Sequence, residues 1–344
     1  MAVDLRSDTV TRPTEGMRRA MYEAEVGDHI YGEDPTVNRL QADIAALLEK
    51  EDALFVPSGI MANQLALLVH THPGAEIILE RKSHIYNHEG GATAFLAGVQ
   101  TCPLDGDRGM LTVDAVERAL RGGYYGEPTS RLLCLENTHN HAGGRVLPQE
   151  AIQAVADLAR SRGLAIHLDG ARLWNAAGAS GRSLAELAAP FDTVSVCLSK
   201  GLGAPVGSLL AGPADLIKKA LRWRNSIGGG MRQAGILAAA GLYALAHHRD
   251  RLVDDHRRAG VLAQVLSELP GFEIDPSCVE TNIVLFRVRD RPVPEVLQAL
   301  RAADIWMAPF GPGLIRAVVH LDISDADIAR TVETLHHLFS RRAA

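Results

Sequence analysis

The chain has 344 residues, 47% of them hydrophobic and 22% charged, with a formal net charge of −6. This is an ordinary globular composition with ample material for a large core, and the absence of a basic stripe argues against a nucleic-acid partner. Four scattered cysteines form no C-x-x-C pair, the first dozen residues mix acids and bases, and the longest charge-free stretch (53–75) is broken by Pro57, Gly59, Asn63, Gln64, His70 and His72. The expectation is a cytoplasmic protein with reduced thiols, no secretory signal and no membrane span.

Residues 1–20 are polar and mixed and read as an arm, which runs into a helix predicted over 14–24. A loop rich in Gly, Asp and Pro (27–35) precedes a helix over 36–49 that carries Val37, Leu40, Ile44, Leu47 and Leu48 on one face. An alternation then begins. Strand 53–56 leads into a helix capped by Ser58. Strands follow at 76–79, 98–102, 131–135, 164–168, 193–198 and 206–211, with helices over 112–120, 148–163 and 214–222. Apolar strands alternating with amphipathic helices predict an α/β fold with a mainly parallel sheet covered on both faces. Two long helical patterns, 231–247 and 249–269, carry the chain into strand 282–288, helix 294–303, strand 314–319 and helix 325–340, a smaller α+β unit. The expected organisation is an N-terminal arm (1–20), a large domain (21–250) and a small C-terminal domain (251–344).

Ligands of open α/β sheets sit beyond the carboxyl ends of the strands. Four polar clusters fall there: Ser58-Gly59, Glu136 to His139, Asp169 to Arg172, and Ser199-Lys200. Lys200 has apolar flanks and no neighbour in sequence to pair its charge. A solvated surface lysine is the bland reading. Desolvation at the end of a buried strand instead favours the free amine, which attacks carbonyls to form Schiff bases. Asp169 is either a cap after its strand or the anion that keeps a cofactor's ring nitrogen protonated. Arg172 is either a surface ion-pair partner or a planar fork for a carboxylate or phosphate. Arg316 interrupts the apolar run 314–319, and a charge there needs a partner, which a carboxylate-bearing substrate between the domains would supply. The Ser58-Gly59 helix start offers free N–H groups and a dipole to a phosphate, without a Walker lysine. His84, His88 and Glu89, with His139 and His141, raise a metal site as an alternative, but no third ligand has clean spacing and no metal is assigned. His84 can equally stack on a flat ring and accept a proton. Gly228-Gly229-Gly230, followed by Met231 and Arg232, fits a close subunit contact near the site or a simple loop.

Taken in order, several stretches together resemble the low-specificity L-threonine aldolases, pyridoxal-phosphate enzymes of the aspartate-aminotransferase fold (fold type I). They are Asp4-Leu5-Arg6-Ser7-Asp8-Thr9-Val10-Thr11, Tyr31-Gly32-Glu33-Asp34-Pro35, Pro57-Ser58-Gly59, Glu136-Asn137-Thr138-His139-Asn140, Asp169-Gly170-Ala171-Arg172, the run from Leu198 through Lys200 to Ser208, Gly228 to Gln233, and Arg316 with His320-Leu321-Asp322. The resemblance covers nearly the full length. It implies a cofactor-binding large domain in which Lys200 holds pyridoxal phosphate, Asp169 pairs with the pyridine nitrogen and His84 stacks on the ring. Ser58, Gly59, Ile60 and Ser199 would lie near the phosphate. Ser7, Arg172 and Arg316 would grip the substrate carboxylate, and Arg232 and Tyr31 would reach a site shared between subunits of a homo-oligomer, a homotetramer built from dimers. The implied reaction is cleavage of L-threonine, L-allo-threonine and other β-hydroxy-α-amino acids to glycine and an aldehyde. A β-eliminating lyase or an aminotransferase is the alternative on the same cofactor.

Three positions depart from the family pattern. Ile60 stands where a threonine is frequent, Asn225 replaces a lysine before the glycine triplet, and the segment Gly122-Gly123-Tyr124-Tyr125-Gly126-Glu127 lacks a second histidine. The proton acceptor is therefore open between His84, acting directly or through water with Glu89 beside it, and Tyr124 or Tyr125.

Overall fold

Apolar runs bounded by turn residues, such as those around Ile78 and Val194, form strands in which every residue is buried, as expected where helices cover both faces of a sheet. The structure is a computed structural model that describes residues 2–340. Its first eight strands are β1 (Val3–Asp4), β2 (Asp52–Val56), β3 (Glu76–Glu80), β4 (Gln100–Leu104), β5 (Ser130–Glu136), β6 (Ala165–Gly170), β7 (Thr193–Cys197) and β8 (Ser208–Gly212). Among the described residues, seven of these make one sheet in the order β2-β8-β7-β6-β5-β3-β4. The pairs from β4 through β7 are parallel, and β8 runs antiparallel to both β7 and β2. The register sets Glu136 beside Asp169 and Asp169 beside Ser195, so the polar clusters of three strand ends share one edge.

Several elements differ from the sequence expectation: the helix expected over 214–222 runs to Ser226, the helices Leu173–Ser180 and Leu184–Ala188 are additional, and three further differences have a clear physical reason. The strand expected over 206–211 starts at Ser208 and is antiparallel; no crossover helix lies between β7 and β8, and a parallel return needs one. The strand expected over 98–102 is shifted to Gln100–Leu104, because a wide helical turn, Thr93–Ala97, ends at Gly98 in the left-handed region. The helix expected from 231 begins at Gly235, where the backbone N–H donates to Oδ2 of Asp34 at 2.8 Å. Oδ1 of the same Asp34 caps the helix Pro35–Leu47 through Val37 N at 2.9 Å, so one carboxylate closes two helix starts.

The remaining strands are β9 (Phe272–Glu273), β10 (Ile283–Val288), β11 (Ile305–Trp306), β12 (Ala308–Pro309) and β13 (Leu314–Val318). An antiparallel sheet in the order β12-β13-β10-β9 packs under the helices Leu252–Glu268 and Asp325–Phe339. The helix Leu252–Glu268 starts in the core of the large sheet at Leu252 and continues into the second core at Ala259 and Leu262. The N-terminal segment joins both cores. β1 pairs parallel with β11, Val3 and Leu5 are buried in the second core, and Met17 is buried in the first. Leu5 donates its N–H to Trp306 O at 2.7 Å and accepts from Val318 N at 2.8 Å. Among the described residues, no helix is long and apolar enough to cross a membrane.

Leu5 is fully buried, so Leu5→Ala is expected to destabilise the fold by about 2–5 kcal/mol through lost burial and a residual cavity. Urea unfolding followed by circular dichroism measures this; an unchanged midpoint would show that the segment is not part of the second core.

Candidate active site

Strand β7 delivers Ser199 and Lys200 into a loop that folds back on itself. Leu198 N donates to Gly207 O (3.0 Å), and Gly203 N and the Thr11 hydroxyl both donate to Lys200 O (2.8 and 2.9 Å). Gly207 has a φ of +115°, and a Cβ there would come within 2.6 Å of the Phe55 ring, so only glycine makes this turn. Among the described residues, no side chain hydrogen bonds to Nζ of Lys200, which opens into a pocket of about 210 Å³. The pocket brings together Ser58, Gly59, Ile60, His84, Asp169, Ser199 and Lys200.

Opposite Lys200 the helix Gly59–His70 begins. Ser58 is extended and its Oγ accepts from Met61 N at 3.2 Å. The N–H groups of Gly59 and Ile60 precede the first helical hydrogen bond and point out of the helix start. A Cβ on Gly59 would lie 2.7 Å from Cys197 Sγ; its absence lets the helix start sit against β7. At Ile60 the useful group is the backbone N–H, which an isoleucine supplies as well as a threonine.

At the floor of the pocket Asp169, 3% exposed, accepts from Ala171 N at 3.1 Å through Oδ1 and from Asn63 Nδ2 at 2.9 Å through Oδ2. Glu89 accepts from the same Asn63 Nδ2 (2.8 Å), from Gln64 Nε2 (2.6 Å) and from His84 Nδ1 (3.0 Å). A carboxylate can only accept, so His84 carries its hydrogen on Nδ1 and leaves Nε2 free. Burial disfavours the imidazolium of His84, but the hydrogen bond to Glu89 and the charges of Asp169, Glu89 and Glu136 outweigh it and raise its pKa. His84 itself is placed by its backbone N–H, which donates to Glu136 Oε2 at 2.7 Å. Ligand atoms of His84, Glu89 and Asp169 lie within 4.8 Å of one another. Asn63 and His84 already donate to both carboxylates there, so a cation would have to displace those donors.

A cationic group lies beside the pocket, outside its lining residues but close enough for the charge of Lys200 to act on Asp8. Arg172 is buried and forks onto Asp8, Nε to Oδ2 at 2.8 Å and Nη2 to Oδ1 at 2.7 Å. Burial opposes the Asp8 carboxylate, but Arg172, Lys200 and Asn282 together hold its pKa well below the usual range. Arg316 donates to Asn140 Oδ1 at 2.9 Å, its plane lies over the Phe310 ring, and its Nε is buried without a partner. Burial and the neighbouring Arg172 lower the pKa of Arg316, partly offset by Asp8. Two guanidinium groups thus face one aspartate.

Of the other predicted residues, Ser7 adjoins Asp8 and accepts from Thr9 N at 3.2 Å. Tyr31, Tyr124 and Tyr125 are exposed, and Arg232 is exposed and 3.5 Å from Asp28; a single chain does not bring these four to the pocket. Sequence reasoning missed Asp8, Asn63 and the anchoring roles of Glu136 and Asn140. Asn63 carried a signal, a polar pair with Gln64 inside an otherwise apolar helix.

The donor set fits pyridoxal phosphate: a helix start for the phosphate, a buried carboxylate for a pyridinium nitrogen, an imidazole at the pocket wall and a free lysine amine for the aldehyde. A site of this make-up suits the class of pyridoxal-phosphate enzymes. The sequence profile of the beta-eliminating lyases matches residues 4–290. The low specificity L-threonine aldolase of Escherichia coli (strain K12) is 44% identical over 328 residues, covering 95% of this chain and 96% of that one. Low-specificity L-threonine aldolase 1 of Arabidopsis thaliana is 42% identical over 338 residues, covering 96% and 94%. Among solved structures, the threonine aldolase of Leishmania major superposes with a TM-score of 0.82 at 21% identity, covering 98% and 99%, and shares the fold. The chain belongs to the low-specificity L-threonine aldolase family, on the fold-type-I architecture of pyridoxal-phosphate enzymes.

Because the folded pKa of His84 is raised above the ordinary 6.5, the His84–Glu89 contact stabilises the fold fully below that value. The contribution fades as pH rises through the folded pKa. In cofactor-free protein the His84 ring should titrate above 6.5 by NMR, and Glu89→Gln should move the midpoint down; the same midpoint in both would remove Glu89 as the cause.

Proposed function

We propose that this protein cleaves L-threonine and L-allo-threonine, with other β-hydroxy-α-amino acids, to glycine and an aldehyde. The observation that carries the reading is the pair Arg172 and Arg316, whose charges Asp8 only half neutralises and whose buried Arg316 Nε lacks a partner. One anionic carboxylate completes that arrangement. The identity to named threonine aldolases over nearly the whole chain supports it.

When bound, pyridoxal phosphate supplies an electron sink for the bond broken at the substrate α-carbon. The side chains of this protein supply orientation. Lys200 would hold the cofactor through its free amine, and Asp169 would present an anion to the ring nitrogen. Arg172 and Arg316 clamp the carboxylate, and that choice of orientation decides which α-carbon bond is activated. His84 accepts the β-hydroxyl proton at Nε2, and Glu89, holding Nδ1–H, stabilises the imidazolium that results. Tyr124 and Tyr125 are 83% and 95% exposed, which favours His84 as the acceptor.

The active oligomer in this reading is a homotetramer built from dimers that share active sites. Tyr31 and Arg232 lie together on the surface, His29 N donating to Arg232 O at 3.1 Å, and Trp223 and Ile236 are exposed apolar residues on nearby helices. A cytoplasmic location is supported by four unpaired cysteines.

Purified protein supplied with pyridoxal phosphate is expected to convert L-threonine to acetaldehyde and glycine; pyruvate or a new 2-oxo acid instead would move it to β-elimination or transamination. Lys200→Ala should lose the absorbance of the bound cofactor and turn over at background. His84→Phe should lower kcat by about 10²–10⁴-fold. Arg316→Leu should act mainly on KM, raising it about tenfold for a loss of about 1.4 kcal/mol in carboxylate binding; an unchanged KM would detach Arg316 from substrate recognition. Light scattering on a sizing column reads the oligomeric state, and a monomer would sink the shared-site arrangement.

A further inference from the structure

Asn63 sits between the two carboxylates of the pocket and is 2% exposed. Its Nδ2 donates one hydrogen to Asp169 Oδ2 and the other to Glu89 Oε1. Both acceptors are carboxylates, so the amide cannot be flipped, and Oδ1 must face the other way. There it meets Ser195 Oγ at 2.7 Å and His167 Nε2 at 3.1 Å. Each of these has to donate. His167 therefore carries its hydrogen on Nε2, and its Nδ1 accepts from Thr193 Oγ1 at 3.0 Å; the Thr193 carbonyl oxygen, 3.2 Å from the same Nδ1, then receives no hydrogen from it. The Thr193 hydroxyl oxygen then accepts from His70 Nε2 at 2.9 Å. Burial keeps both rings neutral, with His167 pulled down to about 3 and His70 to about 4. Every donor and acceptor of Asn63 is used, and the direction of each bond follows from the one before it.

We propose that Asn63 is a positioning residue that holds Asp169 and Glu89 apart as two separate acceptors, one for the cofactor's ring nitrogen and one for His84, and that a one-directional hydrogen-bond chain from His70 through Thr193 and His167 fixes its orientation. The inference rests on the reading that Asp169 serves the ring nitrogen. The titratable groups touching the amide are Asp169, His167 and Glu89; behind them His84 bonds Glu89, His70 bonds Thr193, and the Cys134 thiol on β5 feels both carboxylates. Without the amide, two carboxylates would confront each other in a dry floor, and like charges so placed take up a proton between them. A protonated Asp169 would no longer favour a charged ring nitrogen, and a protonated Glu89 would no longer favour charge on His84.

The test compares wild-type holoenzyme with Asn63→Leu, which keeps the branched outline and removes the hydrogen bonds, and with Asp169→Ala. For Asn63→Leu the expected result is cofactor affinity weakened by about tenfold or more, an altered pH dependence of the bound cofactor's absorbance, and kcat down by about tenfold, with KM for L-threonine within about twofold. Unchanged cofactor affinity, absorbance and kcat would overturn the proposal and leave Asn63 a packing residue. If Asp169→Ala also left affinity and absorbance unchanged, the assignment of Asp169 to the ring nitrogen would fall first. Should Asn63→Leu fail to fold, wild-type protein still decides the matter: nitrogen NMR is expected to place the His167 hydrogen on Nε2, and a hydrogen on Nδ1 breaks the chain and overturns the proposal.

Discussion

The buried ion pair between Asp8 and Arg172 is the contact on which the site's charge balance depends. Both partners are almost wholly removed from water, with both bonds of the fork at 2.7–2.8 Å. An isolated guanidinium at that depth would be costly, and breaking such a pair by removing one partner typically costs about 3–5 kcal/mol. Asp8 makes Arg172 tolerable and also fixes the plane of its fork. It does not neutralise Arg316, which faces the same space. The residual positive charge is therefore a property of the fold before any ligand arrives.

The floor of the pocket follows a different logic. There the anions outnumber the cations, and they are managed by neutral donors: Asn63, Gln64 and backbone N–H groups. Lys200 borders both: it lines the pocket with Asp169, and its charge acts on Asp8. A zwitterionic amino acid and a cofactor with a protonated ring nitrogen match that division, whereas a simple phosphate or a purely anionic ligand would match only one end.

Much of this was legible in the sequence because it depended on short-range pattern. Apolar runs ending in polar residues marked β5, β6 and β7, and with them Glu136, Asp169 and Lys200; the charged interruption of an apolar strand marked Arg316. What stayed hidden depends on contacts between distant positions. Asn63 meets its two carboxylates across 26 and 106 residues of chain, and Asp8 meets Arg172 across 164. Neither pairing leaves a periodic trace. Asn63 has the appearance of a polar slip in an apolar helix, and Asp8 that of one more charge in a polar arm. Tyr31, Arg232, Tyr124 and Tyr125 are a separate case, since their side chains face outward from a single chain and no intrachain contact can assign them a role.

The first dozen residues pass from one core to the other by way of the site. Val3 and Leu5 are fastened to the C-terminal sheet, Asp8 to Arg172, and Thr11 to the carbonyl of Lys200. These attachments are in series along one short segment, which makes a 3-10 turn over Asp8–Val10. A displacement of β11 or β13 would therefore be passed along this segment to Asp8 and Thr11. The segment that fastens the C-terminal strands and the segment that holds the Arg172 fork are one and the same.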